Sequence, residues 1–115
     1  MSHHWSSLAS YGDVMHALRS GATLDSEEFV QGPLKRLFEL ALDERDALRV
    51  RARVLEYARH ATNEFATRLS TPTAASALLE AAHAAFASVF GRRGPQNGWA
   101  FDVFEGRVTH NTVYR

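Results

Sequence analysis

Glu80 and His83 stand as Glu-x-x-His, a spacing that puts a carboxylate and an imidazole on one helix face and that serves carboxylate-bridged di-iron bundles. Glu56, His60 and Glu64 recur at four-residue intervals in the preceding stretch. If the chain reverses at Thr71-Pro72, His60 comes level with His83 and Glu64 with Glu80. Carboxylates and imidazoles at one height could hold iron, manganese or zinc. The same spacings also arise from ordinary pairing on a wet helix face, and no companion glutamate is clearly placed on an earlier helix. Surface pairing is the stronger reading, and neither a metal nor another cofactor is expected.

Other catalytic chemistry has little to stand on. There is no Gly-x-Ser-x-Gly elbow, no His-Glu-x-x-His pair and no Gly-rich loop following a strand. Cysteine is absent, which removes thiolate chemistry and disulfides. His3 and His4 precede Trp5, while His16 and His110 stand alone. The expectation is a protein that is not an enzyme.

Arg45, Arg49, Arg51, Arg53 and Arg59 crowd one helix-forming stretch, and Arg92 and Arg93 add a basic loop. Guanidinium groups neutralise phosphates, and Trp5, Trp99 or Tyr114 could stack on bases. At helical spacing Arg49 and Arg53 align while Arg51 lies nearly opposite, so the run does not line one face. Arg49, Arg53, Arg92 and Arg93 therefore define a second reading, a small dimeric nucleic-acid-binding regulator.

The 115 residues carry 13 basic and 13 acidic side chains, for a net charge of zero. That balance argues against a general polyanion binder. Charge is still uneven: residues 1–46 hold eight acids and four bases, residues 47–115 five acids and nine bases. An acidic surface of one copy meeting a basic surface of the next is one reading of this; a plain gradient is the simpler one. The length and an apolar content of 45% suit one soluble domain. Apolar runs are interrupted by charge and fall short of a bilayer, and Met-Ser-His-His-Trp lacks the features of a secretory signal. A cytoplasmic protein with no membrane contact is expected.

Leu8, Tyr11, Met15 and Leu18 predict a first helix over 6–20, closed by Gly21. Asp25 or Ser26 caps a short helical turn, and Gly32-Pro33 ends it, with Pro33 opening the next helix. Between Pro33 and Pro72 there is no Gly or Pro. An apolar stripe runs from Leu37 through Leu48, Leu55 and Thr62 to Leu69, beside a weaker one through Val54 and Tyr57. A continuous helix is the favoured reading. A break near Asp43 is the alternative, with Asp43 capping a new helix and Leu42 packing on Ala47 across its entry. Ser70-Thr71-Pro72-Thr73 reverses the chain into an Ala-rich helix to Phe90, and 91–98 is a loop. Period-two alternation from Trp99 to Tyr114 around Glu105-Gly106 predicts a β-hairpin.

An unbroken helix from 34 to 71 would reach roughly 55 Å, against a radius of gyration of about 13 Å for a globule of this size. Such a rod overhangs its domain unless a second chain covers it. The expected fold is mainly α: an antiparallel helical hairpin with one long helix, short N-terminal helices and a C-terminal β-hairpin arm. Residues 1–98 form the helical domain, and 99–115 the arm, packed on the helices or on a neighbouring subunit. The expected role is a non-enzymatic, self-associating structural or protein-interaction subunit. It would be homo-oligomeric, with another protein as a further partner, like a scaffold or a virion or connector component. Leu48, Val54, Leu55 and Tyr57 would make its helix contact, and Trp99, Phe101, Phe104 and Tyr114 its arm.

Overall fold

The computed structural model describes residues 5–19, 24–44, 47–91, 99–102 and 107–110, the last two segments by their backbone and the Phe101 side chain. The protein is mainly helical. A 3-10 turn, Trp5–Ser7, precedes α1 (Tyr11–Arg19). The helix starts later than the apolar periodicity suggests because Ser10 Oγ accepts the Asp13 amide at 3.2 Å and caps the first turn. Leu8 stays outside, its carbonyl taking two N–H groups of Arg36 at 2.9 and 2.7 Å.

A capping box opens α2 (Ser26–Phe29): Asp25 accepts the Glu28 amide at 2.8 Å, and Glu28 accepts the Asp25 amide at 3.0 Å. The expected stop at Gly32-Pro33 does not occur. The backbone instead widens into one π turn, Val30–Leu34, and continues as α3 (Lys35–Asp43). Pro33 has no amide to donate, and in a regular helix its ring would crowd the carbonyl four residues back. In the widened turn the Lys35 amide reaches the Val30 carbonyl, so the helix passes Pro33 unbroken. Trp5 lies against Gly32, where a Cβ would stand 2.7 Å from Cδ1 and 2.9 Å from Nε1 of the indole. Gly32→Ala is therefore expected to push Trp5 off the turn and cost about 1–2 kcal/mol. A red-shifted tryptophan emission and a lower urea midpoint check this; an unchanged spectrum and midpoint would show that the indole slides freely.

The long rod is broken. α3 ends at Asp43, α4 (Leu48–Thr67) begins afresh, and Glu44 and Ala47 leave helical geometry at φ −83°, ψ 73° and φ −104°, ψ 75°. Asp43 closes the first helix and does not cap the second, whose N-cap is Ala47 with no side-chain hydrogen bond. Arg45 and Asp46 lie outside the described residues. The break is held by Arg51, whose Nε and Nη2 donate to the carbonyls of Ala41 and Leu42 at 2.8 and 2.7 Å. The Ala41 carbonyl also accepts the Glu44 amide at 3.1 Å, so Arg51 adds a second donor there at the open end of the helix. Arg51 is only 5% exposed, with its guanidinium carbon 5.7 Å from the centroid of Phe90. Burial lowers its pKa, opposed by the nearby charge of Glu44; a guanidinium stays cationic all the same.

Folding α3 back on α4 places both halves of the apolar stripe in one core, with Leu37, Ala41, Leu55 and Ala58 closed to solvent. That burial outweighs a few lost main-chain hydrogen bonds, each worth only about 1 kcal/mol net. The radius of gyration is 13.8 Å, close to the expected value of about 13 Å for a compact chain. The overhang that asked for a covering chain is absent.

Arg68–Thr71 leads into α5 (Pro72–Phe90), with Pro72 in the first turn and Thr71 Oγ1 accepting the Ala74 amide at 3.0 Å. α5 packs on α3 and α4. Strands β1 (Trp99–Asp102) and β2 (Arg107–His110) pair antiparallel, Trp99 opposite His110 and Asp102 opposite Arg107. Residues 103–106 and 111–115, including Phe104 and Tyr114, lie outside the described residues. Phe101 is buried edge-on to Phe38 at 4.9 Å and stacked on Phe86 at 5.5 Å. α5 also corrects the expectation about membrane-spanning length: by length and composition alone it could cross a bilayer. Here its Leu78, Ala82, Phe86, Val89 and Phe90 belong to the core.

Candidate functional site

The metal-like set does not assemble. His60 points to water with its side chain 66% exposed, 4.0 Å from Glu56, whose carboxylate already takes Arg59 at 2.8 Å. Glu64 and Glu80 are exposed as well. His83 is half-buried, its ring set edge-on to Phe101 at 6.2 Å. Among the described residues no group of three or more carboxylates and imidazoles could share an ion. α4 and α5 bury Ala58, Ala61 and Thr62 on one side and Leu78, Ala82 and Ala85 on the other. His60 and Glu64 are thus left on the wet side, with Glu56 half-buried beside them.

The residues expected to meet a partner are divided between core and surface. Val54 and Leu55 are 1% and 0% exposed and serve the chain's own core. Tyr57 is half-buried and stacks on Tyr11 with ring centroids 5.3 Å apart. Phe101 is enclosed by Phe38 and Phe86. Leu48, at 46%, is the exposed large hydrophobic among the described residues. Trp99 is placed by its backbone in β1. Arg49 and Arg53 are exposed one turn apart on α4, whereas Arg92 and Arg93 lie outside the described residues.

The outward faces of α4 and α5 differ sharply in kind. α4 shows Arg49, Arg53, His60, Glu64 and, just past its end, Arg68. α5 shows Thr73, Ser76, Ala77, Ala81, Ala84, Ala87 and Ser88, with Glu80 its one exposed ionisable side chain. A groove of about 340 Å³ runs beside this face, between α5 and the Ser26–Gln31 stretch, lined by Val30, Ala77, Leu78 and Ala81 with Glu27 and Gln31.

No family model, curated protein or solved structure matches this chain. The functional reading therefore rests on surfaces. A second cleft of about 420 Å³ lies between α1, α2 and α4, where Phe29 stacks on Phe65 at 4.5 Å beside Arg19, Glu64 and Arg68. Its charges are of both signs.

Two features escape sequence reasoning. Arg51 reads as one more solvated arginine, because nothing in its neighbours announces that two carbonyls ten and nine residues back will need it. The outer face of α5 was readable in part. Its alanines suggest close packing, but Ala82 and Ala85 go inward while Ala77 and Ala81 face water.

Proposed function

We propose that the protein is a non-enzymatic, self-associating protein-interaction subunit, and that a second copy docks on the outward face of α5. In this reading α4 and α5 form an antiparallel hairpin, and 99–115 form a β-hairpin arm closed over it. The supporting observation is the composition of that face, which has one ionisable side chain along a helix of 19 residues. A water-facing helix stripe ordinarily carries charged and polar residues throughout. Small side chains let two helix axes approach closely, and identical faces are self-complementary about a two-fold axis. The adjoining groove adds room for the partner helix.

A lipid surface is the weaker occupant. Helices that lie in a membrane interface set bulky apolar residues against a Lys- and Arg-rich face, and the exposed side of α5 has neither. Nucleic acid is weaker still on the described surface. Arg49 and Arg53 are exposed one turn apart at the start of α4, while exposed Arg68 lies past its far end and Arg19 on α1, so few phosphates could be neutralised at one place.

Light scattering at tens of micromolar is expected to return the mass of a dimer. Ala81→Glu combined with Ala84→Glu sets like charges against each other across the two-fold axis. It is expected to raise the dissociation constant at least about tenfold. A wild type that is monomeric throughout, or a dimer indifferent to the two glutamates, overturns the proposal. So does wild-type protein that stays monomeric in solution and co-sediments with anionic vesicles.

A further inference from the structure

We infer that Leu48 of each copy seats in the groove between α5 and residues 26–31 of the other, with the two α5 helices antiparallel. This rests on the self-association reading and adds to it the side chain that fills the groove. The groove holds about 340 Å³. Val30 and Leu78, almost closed to solvent, make its floor, and Ala74, Ala77 and Ala81 line the α5 side. Leu48 supplies the matching knob, as the exposed large hydrophobic among the described residues, at 46%. Burying it in an apolar slot removes both surfaces from water.

Charge agrees with this fit. Glu27 lines the groove and is exposed, as are Asp25 and Glu28, and no basic residue occurs from 24 to 34. Exposed Glu80 stands next to Ala81 on α5. Leu48 is followed by exposed Arg49 and, one turn further, by exposed Arg53. An apolar knob flanked by cations thus meets an apolar slot rimmed by anions, which sets the register between two surfaces. Exposed Asp43 and Glu44 lie on the other side of Leu48. The favoured orientation therefore turns Arg49 and Arg53, and not those acids, toward Glu27.

Position along the helices agrees as well. The guanidinium carbon of Arg51 lies 5.7 Å from the centroid of Phe90, so the start of α4 sits by the C-terminal end of α5. The groove runs along residues 74–81, in the N-terminal half of α5. In an antiparallel pair the C-terminal end of one α5 comes level with the N-terminal half of the other. Each Leu48 is then carried to the level of the opposite groove, and two-fold symmetry makes the contact twice.

Sedimentation over a dilution series measures the dissociation constant of each variant, with circular dichroism to confirm folding. Leu48→Ser, Glu27→Arg and Arg49→Glu/Arg53→Glu are each expected to raise it at least about tenfold. Glu27→Arg/Arg49→Glu/Arg53→Glu restores attraction with the signs exchanged and is expected to return to within about threefold of wild type. An unchanged constant in Leu48→Ser, or no recovery in the combined charge variant, overturns the inference. If Ala84→Glu, which lies outside the groove lining, weakens the dimer while Leu48→Ser does not, docking on α5 stands and the seating of Leu48 falls. If Leu48→Ser and the charge exchange act while Ala84→Glu does not, the seating of Leu48 stands and docking on the α5 face falls. A monomeric wild type overturns both.

Discussion

Arg51→Met is expected to lower the unfolding free energy by about 2–3 kcal/mol, the scale of losing charge-assisted hydrogen bonds to two carbonyls of which one keeps a second donor. Methionine keeps most of the apolar stem packed near Phe90, so the loss isolates the guanidinium. Two carbonyls, Ala41 and Leu42, would each lose a donor now at 2.8 and 2.7 Å. Arg51→Lys should recover only part of this, because an ammonium is a single point of donation and cannot reproduce the planar fork. Arg49→Met and Arg53→Met are the controls. Both side chains are exposed and their replacement should move stability by no more than about 0.5 kcal/mol. Urea unfolding at fixed protein concentration measures all four. If Arg51→Met falls within the range of the two controls, water satisfies the end of α3 and Arg51 does not hold the break.

The other large effect should come from Phe38. Its ring is fully buried, edge-on to Phe86 at 5.4 Å and to Phe101 at 4.9 Å. Phe38→Ala removes a core aromatic at a cost of about 3–5 kcal/mol, and each ring pair adds about 0.5–1.5 kcal/mol. A domain of ordinary stability, about 5–15 kcal/mol, would stand close to unfolding. Phe38→Leu is the milder companion, expected to cost about 1–2 kcal/mol and to remain folded. Loss of Phe38 should also loosen β1, since Phe101 rests on it. Hydrogen exchange at residues 99–102 is expected to quicken more than exchange in the middle of α4. Uniform quickening would mean that the strand is held by something other than the aromatic cluster.

Much of the helical plan was legible from local chemistry. Thr71-Pro72 announced a cap and a first-turn proline, and both act that way. Asp25 was one of two candidates for a cap and proves to be the one that bonds. These signals are readable because a cap is satisfied within three or four residues. The break after Asp43 falls where the sequence offered it as the alternative, but not through the Asp43 cap expected there. Its residues prefer helix, and what overrides them is the burial of Leu37 and Ala41 in one core with Leu55 and Ala58, a tertiary term that propensity does not contain. The passage through Pro33 was missed for a related reason. A proline is expected to end a helix, and only the widened turn seen here lets Lys35 reach Val30.

The candidate site was less legible than the fold. Leu55 and Val54 looked like contacts for another chain because the stripe was drawn along an unbroken rod; once the rod bends, both are consumed internally. Burial could be inferred from periodicity, but not which polypeptide would supply the opposing surface. On α5 the reverse error arose. Small residues suggest close packing along the helix, yet Ala77 and Ala81 lie off the buried stripe and face water.

Phe101 has a consequence for how the protein is made. Phe38 and Phe86 receive their third ring from a residue that leaves the ribosome after both. A nascent chain stalled before that point would present a greasy socket to chaperones and proteases.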